Sequence, residues 1–230
     1  EPRDAKPGKR KKEGIFYTPE YITRYIVEQA VGGWLADRWR ELGGDALPEL
    51  TAEDEAWLAS SNRNAPNARI AQRIACYEAY WERVRRVTIL DPACGSGAFL
   101  TQAFDFLLRE GARVNKELAR LRLKPEQSSA AAQPDLLGTG ERVKADDDFS
   151  GAFDSQRWAK AILRHNLFGV DLNRESVEIT KLALWLKTAK KDDRLIALNQ
   201  HVKCGNALID DTAVAREKAF DWYTEFPETT

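Results

Sequence analysis

Apolar residues recur along this chain with two different periods, and the change between them marks a change of architecture. Over 18–39 the spacing is helical, with Ile22, Tyr25, Ile26, Ala30 and Val31 following one another at helical intervals. Thr18-Pro19-Glu20-Tyr21 supplies the start: a capping hydroxyl, a proline for the first turn and an acid near the positive end. Gly32-Gly33 weakens or bends this helix without having to end it. Residues 43–67 mix glycine, proline, asparagine and acids and predict loop, with a short helix over 52–60. A further helix is expected over 68–85, with Ile70, Ile74, Tyr77 and Trp81 on one face.

The period then changes. Val87-Thr88-Ile89-Leu90 is a short β-branched run of the kind that forms a buried parallel strand, and Asp91-Pro92-Ala93-Cys94-Gly95-Ser96-Gly97 follows it. Helical spacing resumes over 98–108. Strand, glycine loop and helix in that order open an α/β unit. After a helix over 158–165, a second strand is predicted at Leu167–Asp171. The next helix, over 175–190, should largely bury Val177, Ile179, Leu182, Leu184, Trp185 and Leu186. Val202–Cys204 is a third strand, ending in Gly205-Asn206-Ala207-Leu208. The fold class is therefore α/β, a partial parallel sheet with an N-terminal helical region. The division expected is a basic flexible tail at 1–12, a helical region at 13–86, and an incomplete α/β domain at 87–230. A polar stretch near 124–153 reads as a flexible insertion in that domain.

Composition narrows the class. Hydrophobic residues at 43% and charged residues at 31% provide a core and argue against disorder. Lys and Arg number 35 against 36 acids, so the net charge of −1 carries no global nucleic-acid signature. No apolar run reaches the roughly 18 residues of a membrane span, and no apolar stretch follows the basic start as in a secretion signal. Three scattered cysteines without a CxxC pair support neither a disulfide framework nor a zinc site. A reducing intracellular compartment is expected. The chain has no methionine, not even an initiator, and is therefore expected to be a piece of a longer polypeptide.

The chemistry gathers at the three strand ends, because ligands of open parallel sheets bind beyond the carboxyl ends of the strands. Gly95 and Gly97 let backbone approach a ligand, and Asp91 can hold an amine. Asp171 can accept bonds from vicinal ribose hydroxyls, and Asn206 offers a donor and an acceptor to an adenine edge. Singly, each also suits a plain turn or a strand cap. Together, and in this order, they suit a nucleoside with an amino-acid tail. His165 and His201 read as surface or helix-end residues, and Cys94, with no paired base in the loop sequence, is not predicted to be a nucleophile. No lysine follows the second glycine, which disfavours a triphosphate loop.

Asp91 to Leu100, DPACGSGAFL, closely resembles motif I of the N6-adenine DNA methyltransferases. Gly14 to Glu20, GIFYTPE, looks like the motif X of that group, and Asn166 to Leu186 like motif II. Cys204-Gly205-Asn206-Ala207-Leu208 is similar to motif III, with asparagine where aspartate is common. The strongest likeness is to the methylase portion of fused type II restriction–modification enzymes. The resemblance implies a Rossmann-like class I fold that binds S-adenosyl-L-methionine. It places Tyr17, Thr18 and Pro19 over the methionine carboxylate and Asp91, Pro92, Ala93, Cys94, Gly95, Ser96 and Gly97 at the amino-acid tail. Asp171, with Leu172 beside it, falls at the ribose, and Asn206 with Ala207 at the adenine. It implies double-stranded DNA as partner, reached through a recognition domain outside this chain, and no metal.

The catalytic Asn-Pro-Pro-aromatic motif of that family is nowhere in the chain, so no catalytic residue is assigned and the chain alone is expected to be inactive. Phe220 to Pro227 resembles the segment that precedes the catalytic strand. RNA or protein methyltransferases of the same motif class remain alternatives, as do a non-catalytic subunit and an NAD-binding module. The last lacks its third glycine.

Overall fold

The computed structural model describes residues 18–60, 63–122, 153–189 and 196–227. The tail at 1–12, Tyr17 and nearly all of the 124–153 stretch lie outside the described residues.

Helix α1 (Glu20–Val27) runs through a π-helical turn, Glu28–Gly32, into α2 (Gly33–Glu41) without a break. The glycine pair is therefore crossed by helix, and the Phe106 ring comes so close to Gly32 that a Cβ there would sit 3.2 Å from it. Two expectations need correction. Pro19, in extended conformation, is the cap residue, and no side chain caps this end, so Thr18 does not do so. The buried stripe is Thr23, Val27, Val31 and Leu35, whereas Tyr21, Tyr25 and Ile26 face outward. Thr23 tolerates burial because its hydroxyl donates to the Glu20 carbonyl at 2.9 Å.

Helix α3 (Ala52–Ala59) begins with a reciprocal capping box between Thr51 and Asp54. Helix α4 (Ala68–Arg86) is capped by Asn67, whose side chain accepts from the Ile70 N–H at 3.0 Å. It leads into strand β1 (Ile89–Asp91), which is followed by α5 (Ala98–Leu121). The sequence pattern predicts only the first half of α5. It continues through Gly111, with Val114, Leu118 and Leu121 buried, because the glycine makes room for an indole. A Cβ on Gly111 would lie 2.2 Å from Nε1 of Trp158, which donates to the Leu107 carbonyl at 2.9 Å.

Helix α6 (Ser155–His165), capped by Asp154, feeds strand β2 (Leu167–Asp171), and α7 (Arg174–Thr188), capped by Asn173, follows it. Strand β3 (Val202–Cys204) completes a parallel sheet of order β1-β2-β3, in the register Ile89 opposite Leu167 and Gly169 opposite Val202. The short helices α8 (Thr212–Ala215) and α9 (Trp222–Glu225) lie in the segment after β3. Alternation along the strands separates two cores. Leu167 and Val202 join the main core with Leu100, Phe104, Leu107, Trp158, Ile162 and Leu184. Phe168 and Val170 meet Phe220, Trp222 and Phe226 on the opposite face.

The expected burial of α7 is corrected in part. Val177 and Leu184 are buried, but Ile179, Leu182 and Leu186 are more than half exposed. The inward positions include Thr180 and Lys181 instead. Lys181 satisfies its ammonium on Glu178 and Asn199, each at 3.0 Å. Strand β1 is likewise less buried than its composition predicts: it is an edge strand, and Leu90 is 42% exposed.

Candidate functional site

The carboxyl ends of the three strands come together as the sequence predicts. Asp91 lies opposite Gly169, and Asp171 lies opposite Cys204, so the two carboxylates close neighbouring strands. Between β1 and α5 the chain turns sharply. The Cys94 N–H donates to the Val170 carbonyl at 2.9 Å, and the Gly97 N–H donates to the Cys94 carbonyl at 2.8 Å. Gly95 (φ +52°) and Gly97 (φ +84°) occupy left-handed backbone, which a Cβ disfavours. A Cβ at Gly97 would also strike the Thr180 side chain at 2.9 Å, whereas one at Gly95 would meet nothing within 4 Å. The loop is therefore closed on its α7 side and open at Gly95.

Asp91 is the least satisfied group of the site. Its Oδ1 accepts from the Ala93 N–H at 3.0 Å, while Oδ2 is buried and makes no hydrogen bond. Burial raises its carboxyl above the ordinary range, the Ala93 bond opposes this, and the Asp171 charge adds to it. A buried, unbonded carboxylate oxygen at a strand end fits a cationic ligand group. Asp171 is braced differently: Oδ2 accepts from the Gly95 N–H and Oδ1 from the Asn173 N–H, both at 2.8 Å. Each oxygen keeps a second lone pair for hydroxyl donors.

At β3 the Gly205 N–H donates to the Asp171 carbonyl at 3.0 Å, which ties this end to β2. Phe220 fills the space where a Gly205 Cβ would lie, at 2.4 Å. The Asn206 N–H donates to the Lys218 carbonyl at 2.7 Å, and its Oδ1 accepts from the Leu208 N–H at 3.1 Å, an Asx turn. The Ala207 carbonyl accepts from the Trp222 indole at 3.0 Å. Leu172, just past β2, is 44% exposed. Pro92, Ala93 and Ser96 form the exposed side of the loop.

Thr18 lies in a cleft of about 350 Å³ shared with Thr23, Ala98, Thr101, Gln102, Asp105 and Lys187. The start of α1 is thus brought beside the first turn of α5, immediately after the glycine loop. Pro19 is the residue from which α1 starts, and Tyr17 is outside the described residues.

Cys94 is 4% exposed, and its thiol is pushed up to about 12, first by burial and then by the Asp91 and Asp171 charges. Such a shift favours the protonated thiol over the thiolate. Among the described residues no cluster of His, Cys, Asp and Glu could hold a metal ion, and no helix is long and apolar enough to cross a membrane. One residue of the site escapes the sequence reading: Thr180, fully buried, whose hydroxyl donates to the Gly95 carbonyl at 2.8 Å. Its only sequence signal is a hydroxyl in the apolar register of α7.

The strand ends thus form an α/β site with a glycine loop after the first strand of a partial parallel sheet and acids ending the first two. The family "MmeI, DNA-methyltransferase domain" matches residues 67–230, from the cap of α4 onward, and the chain belongs to that family. Residues 18–66, with Thr18, precede the matched span. The chain is 26% identical over 205 residues to RM.MjaORFECS2P of Methanocaldococcus jannaschii, named as a type II restriction enzyme and methyltransferase, covering 85% of this chain and 14% of that protein. It is 24% identical over 208 residues to the adenine-specific methyltransferase PglX of Lacticaseibacillus casei, covering 87% of this chain and 14% of that protein. The chain thus spans about a seventh of each of these relatives. No solved structure matches it.

Proposed function

We propose that this chain is the cofactor-binding part of an S-adenosyl-L-methionine-dependent methyltransferase that modifies adenine N6 in double-stranded DNA, within restriction–modification. The observation that carries the reading is the buried, unbonded Oδ2 of Asp91 beside the glycine loop. The cofactor has an ammonium group, and this oxygen would hold it. Asp171 would accept the ribose hydroxyls, with Leu172 against the nucleoside. Asn206 and Ala207 would meet the adenine edge, and Thr18 would approach the carboxylate from the start of α1. When bound, S-adenosyl-L-methionine supplies an electrophilic methyl group. What this chain contributes is orientation: carboxylates for the cationic and hydroxyl ends, and loop backbone at the amino-acid tail.

Support also comes from family membership and from the named activities of the two relatives. A class I Rossmann-like sheet is part of this proposal, as are the tail at 1–12 and the division at residue 86. The acceptor for the amino hydrogens and the platform for a flipped base are assigned outside these 230 residues, since no Asn-Pro-Pro-aromatic sequence occurs in them. DNA recognition is likewise assigned to another part of a longer polypeptide. The chain by itself is therefore proposed to be inactive.

Calorimetric titration of the chain with S-adenosylhomocysteine and, separately, with NAD tests this reading. Binding of the former alone is expected. Binding of NAD in preference, or of neither at millimolar concentration, would overturn it.

A further inference from the structure

The Gly95 peptide is gripped from both sides by groups distant in sequence. Its N–H donates to Asp171 Oδ2 at 2.8 Å, and its carbonyl accepts from Thr180 Oγ1 at 2.8 Å. Thr180 is fully buried, and its Cγ2 lies where a Gly97 Cβ would be, at 2.9 Å. Two glycines in left-handed backbone make this loop intrinsically permissive, so its conformation has to be imposed from outside. We propose that Thr180 is a positioning residue for the glycine loop, its hydroxyl holding the Gly95 peptide in the orientation that binds the cofactor. The proposal rests on the cofactor reading above and adds to it a residue on α7, away from the strand ends.

The physical argument is one of preorganisation. A loop already held in its bound conformation loses less entropy when a ligand arrives. Asp171 alone fixes the amide side of Gly95, but rotation of the next peptide would still swing its carbonyl. The hydroxyl opposes that rotation at 2.8 Å, a far shorter contact than the Cys94 thiol makes with the same carbonyl at 4.0 Å. A packing role for Thr180 would depend on its methyl group against Gly97 instead. The two roles predict opposite outcomes for two substitutions of similar size.

Thr180→Val keeps the volume and removes the hydroxyl, whereas Thr180→Ser keeps the hydroxyl and removes the methyl. Thr180→Ala differs from the serine variant by the hydroxyl alone and substitutes for valine should that variant fold poorly. For each, S-adenosylhomocysteine affinity is measured by calorimetry, hydrogen exchange of peptides spanning 92–100 by mass spectrometry, and Tm by circular dichroism. Loss of one hydrogen bond should weaken affinity about 5–10-fold in the valine and alanine variants and leave the serine variant near wild type. Loop exchange should be faster in the valine and alanine variants, with α7 and the rest of the sheet unchanged. Serine impaired and valine normal would overturn the proposal in favour of packing, and so would equal behaviour of serine and alanine. If wild type itself binds no cofactor, the cofactor reading fails, and the exchange data still decide whether the hydroxyl holds the loop.

Discussion

The Gly95 N–H donates to the Asp171 carboxylate at 2.8 Å, so the loop after β1 takes its shape from the residue that ends β2. The two sit 76 positions apart in sequence, and neither is informative alone. Asp171→Ala removes the proposed ribose acceptor and frees a loop amide together. Hydrogen bonds to a charged group contribute about 1.5–3 kcal/mol each, so S-adenosyl-L-methionine binding should weaken by at least that range. Calorimetry with a circular dichroism control for folding measures it. Unchanged affinity in a folded variant would leave Asp171 as a loop brace only.

Asp91 yields a paired expectation for stability and binding. Burial raises its carboxyl in the folded chain, so the folded state binds its proton more readily than the unfolded state. Its contribution to stability therefore grows as pH falls through that raised range, and the ionised form is a burden at neutral pH. Asp91→Asn should raise the Tm of the ligand-free chain at neutral pH while weakening cofactor binding. In wild type, affinity should fall on acidification, and the fall should begin above the usual carboxylate range. The asparagine variant should bind weakly with little pH dependence. A variant less stable than wild type at neutral pH would contradict this account of Asp91.

Gly111→Ala sets two effects against each other. In an open helix the change would stabilise by about 1 kcal/mol. Here the added methyl would lie 2.2 Å from Trp158 Nε1, and Trp158 is only 2% exposed. Overpacking costs about 1–3 kcal/mol, and displacing the indole also strains its bond to Leu107. Net destabilisation is expected, read from urea unfolding followed by circular dichroism. A stabilised variant would show that α5 and α6 can separate at no cost.

Asp54, 1% exposed, accepts from the Thr51 N–H and hydroxyl, from Asn67 at 2.6 Å and from Arg69 at 2.7 Å. The Thr51 backbone bond first, then Asn67 and Arg69, holds its carboxyl well below the usual carboxylate range. The unfolded chain then takes up the proton first as pH drops. Stability present above about pH 4 is lost as pH falls toward the lowered folded value. Asp54→Asn should lower Tm at neutral pH and flatten the acid decline, which Tm measured across that range will show. A variant with the wild-type acid profile would mean that other carboxylates set it.

What the sequence reveals is set by how local the cause is. Strand β2 and β3 are legible to the residue because short apolar runs end in polar groups, and the order Asp91, Asp171, Asn206 follows from those ends. The inward face of α7 is not legible. Apolar residues lie nearly all round it, and the choice of Thr180 over Ile179 and Leu182 depends on the shape of a loop 85 positions earlier. The second half of α5 is hidden for a similar reason, since Gly111 reads as a weak point until Trp158 fills it. The outward turn of Tyr21, Tyr25 and Ile26 depends on how α1 packs on α5, which periodicity alone leaves open.

The central claim, that these strand ends bind the methyl donor, is tested most directly by amide chemical shifts of the labelled chain titrated with S-adenosyl-L-methionine. Even weak binding is visible in such spectra. The account predicts saturable shifts at Gly95, Gly97, Asp171, Leu172 and Asn206, with those of α3 and α4 unmoved. Shifts confined to other surfaces, or none at millimolar cofactor, would contradict it.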